Sequence, residues 1–300
     1  MATEQPEITL KPVRTLKNHP KPDFRAVSPV LRHSYSPSRD GTDSNLLILF
    51  HGLGDTLAPF ARLGQSFNLP QTAVLSLQAP ERVPLLEEEA WQWWDSFDAM
   101  GEIIRNPNPS ATLHLLTKVV EYLCAPLPSS SASSPASSSA STAPQTGCGW
   151  HPSQLHFFGY QQGASCAGEL ALAWARAHPT ANLGSLVAVS APLLQLPTVP
   201  STGKAKTKVA LVYRGNTAEE RAVQIPAWKK GFETVKEVRL EGGRGREGMP
   251  RGVDEWREIM RFWSETLLRR SALETEGEVY EIDGGVEAAK KAGAKAKAPQ

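Results

Sequence analysis

Apolar residues along this chain follow two alternating patterns. Asn45–Phe50 (NLLILF) is a near-continuous apolar run closed by Gly52 and Gly54, the pattern of a strand buried on both faces of a mainly parallel sheet. Similar runs recur at Ala73–Leu77, Leu155–Phe158, Leu186–Val189 and Lys208–Tyr213. Between them the apolar spacing changes to three and four residues, at Leu113, Leu116, Val120 and Leu123, then at Leu170, Ala171 and Trp174, and again from Val253 through Trp256, Ile259, Met260 and Trp263 to Leu267. That spacing lines one face of a helix. Strands too apolar to be half-exposed, alternating with amphipathic helices, predict an α/β fold with a mainly parallel, doubly wound sheet flanked by helices on both sides.

Three segments fall outside this alternation. Residues 1–42 carry six prolines and little periodicity, which predicts an N-terminal arm or edge element ahead of a domain spanning 43–275. Residues 125–146 are almost wholly Ser, Ala, Pro and Thr. Such a stretch cannot bury enough apolar area to offset roughly 1–2 kcal/mol of backbone entropy per residue, so it is expected to be a disordered insert that interrupts the domain without dividing it. Residues 276–300 form a tail, rich in lysine and alanine from 284.

Composition narrows the classes. The 300 residues are 40% hydrophobic and 21% charged, enough for one large core. A formal charge of +1 supplies no field to gather nucleic acid. No run of about 18 apolar residues occurs, so no membrane span is expected. Met1–Lys11 holds two glutamates and no apolar run, and with no secretion signal the expected address is cytoplasmic. Cys124, Cys148 and Cys166 are too few and scattered for a disulfide framework, and read as free thiols.

The chemistry is concentrated in Leu155–Ala164 (LHFFGYQQGA). A strand, a tight turn flanked by Gly159 and Gly163, and a helix follow in the order of a nucleophile elbow, the feature that points to the α/β-hydrolase fold. Glycines are needed there because the elbow residue is strained and flanking side chains would collide with the returning helix. Phe50–Asp55 (FHGLGD), ending an earlier strand, lies where such folds place one oxyanion-hole amide.

At these residues the chain resembles the phospholipase/carboxylesterase family, which includes the acyl-protein thioesterases. The matching pieces are the loop at 51–55, Ser76–Pro80 (SLQAP), Trp93-Trp94-Asp95 and the elbow at 159–163, across roughly residues 40–270. The resemblance implies hydrolysis of carboxylic esters or thioesters by a serine, histidine and acid triad. It also implies oxyanion-hole backbone amides at Leu53 and Gln162. All three triad positions depart from the pattern. Gln161 occupies the serine position, Ala218 the acid position beside Glu219 and Glu220, and Met249 the histidine position, beyond the last histidine of the chain, His178. Loss of a triad serine or histidine costs on the order of 10⁶ in turnover.

Other reactive residues have plainer readings. Ser165 and Cys166 fall a turn into the helix and read as packing, His51 as a loop-positioning residue, and His151 and His156 as loop and strand histidines with no metal-ligand spacing. Trp91, Trp93, Trp94 and Phe97 suit packing under a loop or contact with a ligand equally well. His51, Trp93 and Trp94 are accordingly the cleft candidates. No cofactor or metal is expected. The sequence points to a non-catalytic α/β-hydrolase-like protein that binds an acyl or other apolar small molecule or a protein partner. Its alternatives are an active esterase or thioesterase with an unrecognised nucleophile, and a structural subunit of a larger assembly.

Overall fold

A computed structural model describes the chain except for residues 1–9, 14–17, 85, 99, 128–145, 195–202, 216, 243–247, 272–278 and 283–300. Two compact units are distinguished, one of residues 18–269 and a smaller one of 1–17 with 270–300. In the smaller unit β1 (Leu10–Val13) pairs antiparallel with β11 (Val279–Ile282), placing Leu10 opposite Ile282 and Val13 opposite Val279. The tail from 284 and residues 128–145 of the serine-rich stretch lie outside the described residues.

The larger unit is the α/β fold that the apolar runs predict. Its strands are β2 (His33–Ser36), β3 (Asn45–Phe50), β4 (Thr72–Leu77), β7 (Leu155–Tyr160), β8 (Ser185–Val189), β9 (Lys208–Arg214) and β10 (Val235–Leu240). Together they form a seven-stranded sheet in the order β10-β9-β8-β7-β3-β4-β2, parallel except for the edge strand β2, which runs antiparallel to β4. A two-residue ladder, β5 (Glu81–Arg82) with β6 (Trp91–Gln92), stands apart from it. The helices are α1 (Leu57–Ser66), α2 (Ser110–Cys124), α3 (Gln162–Ala177), α4 (Thr217–Val223), α5 (Ile225–Gly231) and α6 (Gly252–Thr266).

Alternation along β3 divides the core. Leu46, Ile48 and Phe50 pack with residues of α2, α3 and α5, whereas Leu47 and Leu49 pack with Phe60 of α1 and Ile259, Phe262 and Trp263 of α6. Each sheet face is thus covered, which is why the central strands read as continuous apolar runs. Within 18–42, Phe24 is buried and edges onto His33 and Tyr122, and β2 supplies the sheet edge.

The strand order fixes where a ligand is held. From β3 the chain crosses through α1 to β4 on one side, and from β7 it crosses through α3 to β8 on the other. The carboxyl ends of β3 and β7 therefore flank a topological switch point, where loops diverge and leave a crevice.

Candidate functional site

At the carboxyl end of β7 the elbow is formed in full. Gln161 has φ 46° and ψ −117°, a left-handed backbone that costs of order 1–3 kcal/mol and persists only when its surroundings hold it. Its amide donates to the carbonyl of Val189 at 2.8 Å, and its carbonyl accepts from the amides of Ala164 and Ser165 at 2.9 and 3.0 Å. The glycines show why no other residue serves. A Cβ on Gly163 would lie 2.3 Å from the His51 carbonyl oxygen, and one on Gly159 would lie 2.5 Å from the Ala164 Cα.

The side chains on either side of the turn have different fates. Gln161 is exposed at the tip of the elbow, while Gln162 is buried beneath it. Gln162 Oε1 accepts from the Trp93 amide at 2.7 Å, and its Nε2 donates to Ser96 Oγ at 2.8 Å and the Trp94 carbonyl at 3.3 Å. Its side chain thereby fastens the tryptophan segment to the start of α3. The backbone amide of Gln162, in the first turn of α3, has no intrahelical acceptor.

His51 and Trp93 sit beneath the crevice with no exposed surface. His51 Nδ1 donates to the Gly52 carbonyl at 2.7 Å, which leaves Nε2 to accept from the Ala79 amide at 3.0 Å and Gln78 Nε2 at 2.8 Å. Burial pushes its pKa down to about 4, so the ring is neutral at physiological pH. The Trp93 indole N–H donates to the His51 carbonyl at 2.8 Å. Both residues hold the first glycine loop. Of the three cleft candidates, Trp94 lines the crevice.

The crevice has a volume of about 320 Å³. Leu53, Trp94, Phe97, Ile103, Pro192 and Leu194 give it apolar walls, and Gln161 and Ser190 stand at its polar end. Ser190 directly follows β8 with φ 53° and donates its hydroxyl hydrogen bond to Glu219 Oε1 at 2.6 Å. This pair escapes sequence reasoning because Ser190 follows β8 and Glu219 lies in α4 beyond β9, 29 residues apart. The one available signal was the carboxylate adjacent to Ala218.

Ala218 and Met249, the other positions that the resemblance aligns with a triad, carry no reactive group. Ala218 is exposed on α4. Met249 packs its side chain on the face beside Tyr160, and its carbonyl accepts from Arg214 Nη2 at 2.9 Å. Arg214 is buried, and its Nη1 reaches Glu255 Oε1 at 2.5 Å and the Glu241 carbonyl at 3.2 Å. A buried guanidinium thus fixes the loop ahead of α6. His156 lies at the opposite end of the sheet, with Nδ1 2.8 Å from Ser185 Oγ and Nε2 3.2 Å from Asn45 Oδ1. Ser165 donates to the Pro192 carbonyl at 2.6 Å, and Cys166 is fully buried in α3, where desolvation raises its pKa. Among the described residues, no group of three or more His, Cys, Asp or Glu is arranged to hold a metal ion, and no helix is long and apolar enough to cross a membrane.

Comparison with known proteins places the domain. The sequence model of the phospholipase/carboxylesterase family matches residues 36–231. The chain belongs to this family. A relative in Mycosarcoma maydis, described as uncharacterized hydrolase UM10204, is 35% identical over 255 residues, covering 83% of this chain and 87% of that protein. Among solved structures, esterase PE8 superposes with a TM-score of 0.58 at 17% identity, over 79% of this chain and 99% of that one. Acyl-protein thioesterase 2 of Zea mays superposes with a TM-score of 0.52 at 19% identity, over 78% and 98%. The two solved structures share the α/β-hydrolase fold with this phospholipase/carboxylesterase family member.

Proposed function

We propose that this chain is a non-hydrolytic member of the family that binds an acyl or other apolar ligand in the crevice above the elbow. The observation carrying this reading is Gln161 at the tip of the elbow, opposite a loop pinned by Arg214. A serine hydrolase needs a hydroxyl that loses its proton to a neighbouring base as it attacks the carbonyl. The Gln161 carboxamide has no such hydroxyl, and the neighbouring imidazole, His51, is neutral, buried and bonded at both nitrogens. What the elbow retains is its shape: an apolar wall, and the backbone amides of Leu53 and Gln162 in the places of oxyanion donors. The names of the relatives and fold neighbours, a hydrolase, an esterase and an acyl-protein thioesterase, support an acyl group as the ligand. A cytoplasmic address belongs to the same reading and is supported by the three free cysteines.

The 2.6 Å contact of Ser190 with Glu219 favours a second reading, an esterase whose nucleophile is Ser190. Its oxygen would attack the acyl carbonyl as its proton passed to Glu219, which would return that proton to the departing alkoxide. A carboxylate is a much weaker base than an imidazole, so the non-hydrolytic reading stands first. Labelling with a fluorophosphonate separates the two, since the probe requires an activated serine. No labelling, and no turnover of activated esters or acyl thioesters above a denatured control, is the expected result. Labelling at Ser190, abolished by Glu219→Gln, would overturn the first reading.

A further inference from the structure

We propose that the crevice selects a medium-chain carboxamide over the ester or free acid of the same chain. This deepens the reading of an acyl-binding crevice and rests on it. The argument comes from where the hydroxyl protons of the lining go. Ser165 donates to the Pro192 carbonyl at 2.6 Å, Ser190 to Glu219 at 2.6 Å, and Ser96 to the Trp94 carbonyl at 3.4 Å. Each serine has one proton to donate, and each of these protons is committed to a protein acceptor. What these hydroxyls offer a ligand is oxygen lone pairs. Among the described residues, the side-chain N–H donors on the lining, apart from the engaged Gln162, are the Gln161 carboxamide and the Trp94 indole.

A ligand filling the polar end therefore needs an N–H for Ser190 Oγ or Gln161 Oε1, and a carbonyl oxygen for the Gln161 amide group. A carboxamide has both. An ester has the carbonyl and no donor, so it leaves an acceptor of the lining unpaired. A carboxylate has no donor either and is charged. The Leu53 and Gln162 backbone amides would meet a carbonyl oxygen of all three ligands alike, and among the described residues no Lys, Arg or His lines the crevice to compensate the full charge of the acid. The apolar walls take the chain, and a volume of about 320 Å³ is at the small end of ligand pockets, which fits a medium chain.

Calorimetry with octanamide, methyl octanoate and octanoate at neutral pH tests this on the full chain. Octanamide should bind about tenfold more tightly than the ester, the effect of one satisfied hydrogen bond, and more tightly still than octanoate. The amide-to-ester ratio should fall towards one in Gln161→Leu and, separately, in Ser190→Ala, each verified as folded by its melting transition. Equal or tighter binding of the ester or the acid would overturn the selectivity and leave the acyl-binding crevice standing. So would an amide preference that survives both substitutions. Failure of all three compounds to bind the folded protein would instead overturn the crevice reading itself.

Discussion

Gln161 has the strained backbone of an elbow residue and, under the proposed reading, stands where a catalytic serine would, without its hydroxyl. Restoring the hydroxyl alone should restore nothing: Gln161→Ser is expected to hydrolyse p-nitrophenyl esters no faster than the parent protein. Under the proposed reading the new serine would have no base within hydrogen-bond reach of about 2.6–3.2 Å, because Met249 and Ala218 would occupy the partners' positions and His51 is locked beneath the loop. Turnover by the single variant, abolished by fluorophosphonate, would reveal a working base. The buried histidines make a second prediction. Desolvation holds His51 at about 4 and His156 at about 3, both below the ordinary 6.5. As pH falls through 6.5 the unfolded chain takes up protons that the folded chain refuses, so acid favours unfolding. Stability is full above about 6.5, declines on acidification, and levels off for each site below its folded value, by up to about 3 kcal/mol for His51 and about 5 kcal/mol for His156. Melting temperature measured between pH 7 and 4 should fall, and His156→Asn should flatten the slope. An unchanged slope in that variant would mean that His156 titrates normally.

Elements were legible where they are buried on both faces and illegible where they are not. The five strands from β3 to β9 in the sheet core announce themselves as apolar runs. β10 does not, because only Val238 and Leu240 of its six residues are buried and charged residues alternate with them. β2 is four half-buried residues at the sheet edge, and α4 and α5 are seven residues each, too short for a helical period to stand out. The elbow was legible for a steric reason, since its glycines are required by backbone contacts that no side chain can satisfy. Ser190 and Glu219 were not, because their meeting depends on the pairing of β8 with β9 and not on any local spacing. The steric reading gives a prediction at this scale. Gly163→Ala would drive a Cβ into the carbonyls of Phe50 and His51, at 2.4 and 2.3 Å, forcing α3 away from β3. A loss of about 1–3 kcal/mol or more is expected, seen as a melting temperature lowered by several degrees. An unshifted melt would mean that the close approach of helix and strand is not maintained in solution.

In the larger unit, the serine-rich stretch leaves and re-enters the fold at almost one point. The Gly147 amide donates to the Pro126 carbonyl at 2.8 Å, and the Gly149 and Trp150 amides to Ala125 and Leu123 at 2.9 Å. Replacing residues 128–145 by a short Gly/Ser linker should therefore leave the melting transition unchanged or slightly raised, because a shorter loop loses less entropy on closure. A collapse of folding would show that the stretch contributes contacts to the domain. The position of this junction has a wider consequence. α2 begins beside Trp93, whose carbonyl accepts from Thr112, and runs from there to the amino end of β7. The gap thus opens towards the amino ends of the strands, the opposite end of the sheet from the crevice. Chain length can therefore change at this junction without altering the path of the segments that line the crevice. For the same reason it is the place to graft a fluorescent reporter or an affinity handle that must not disturb what the crevice holds.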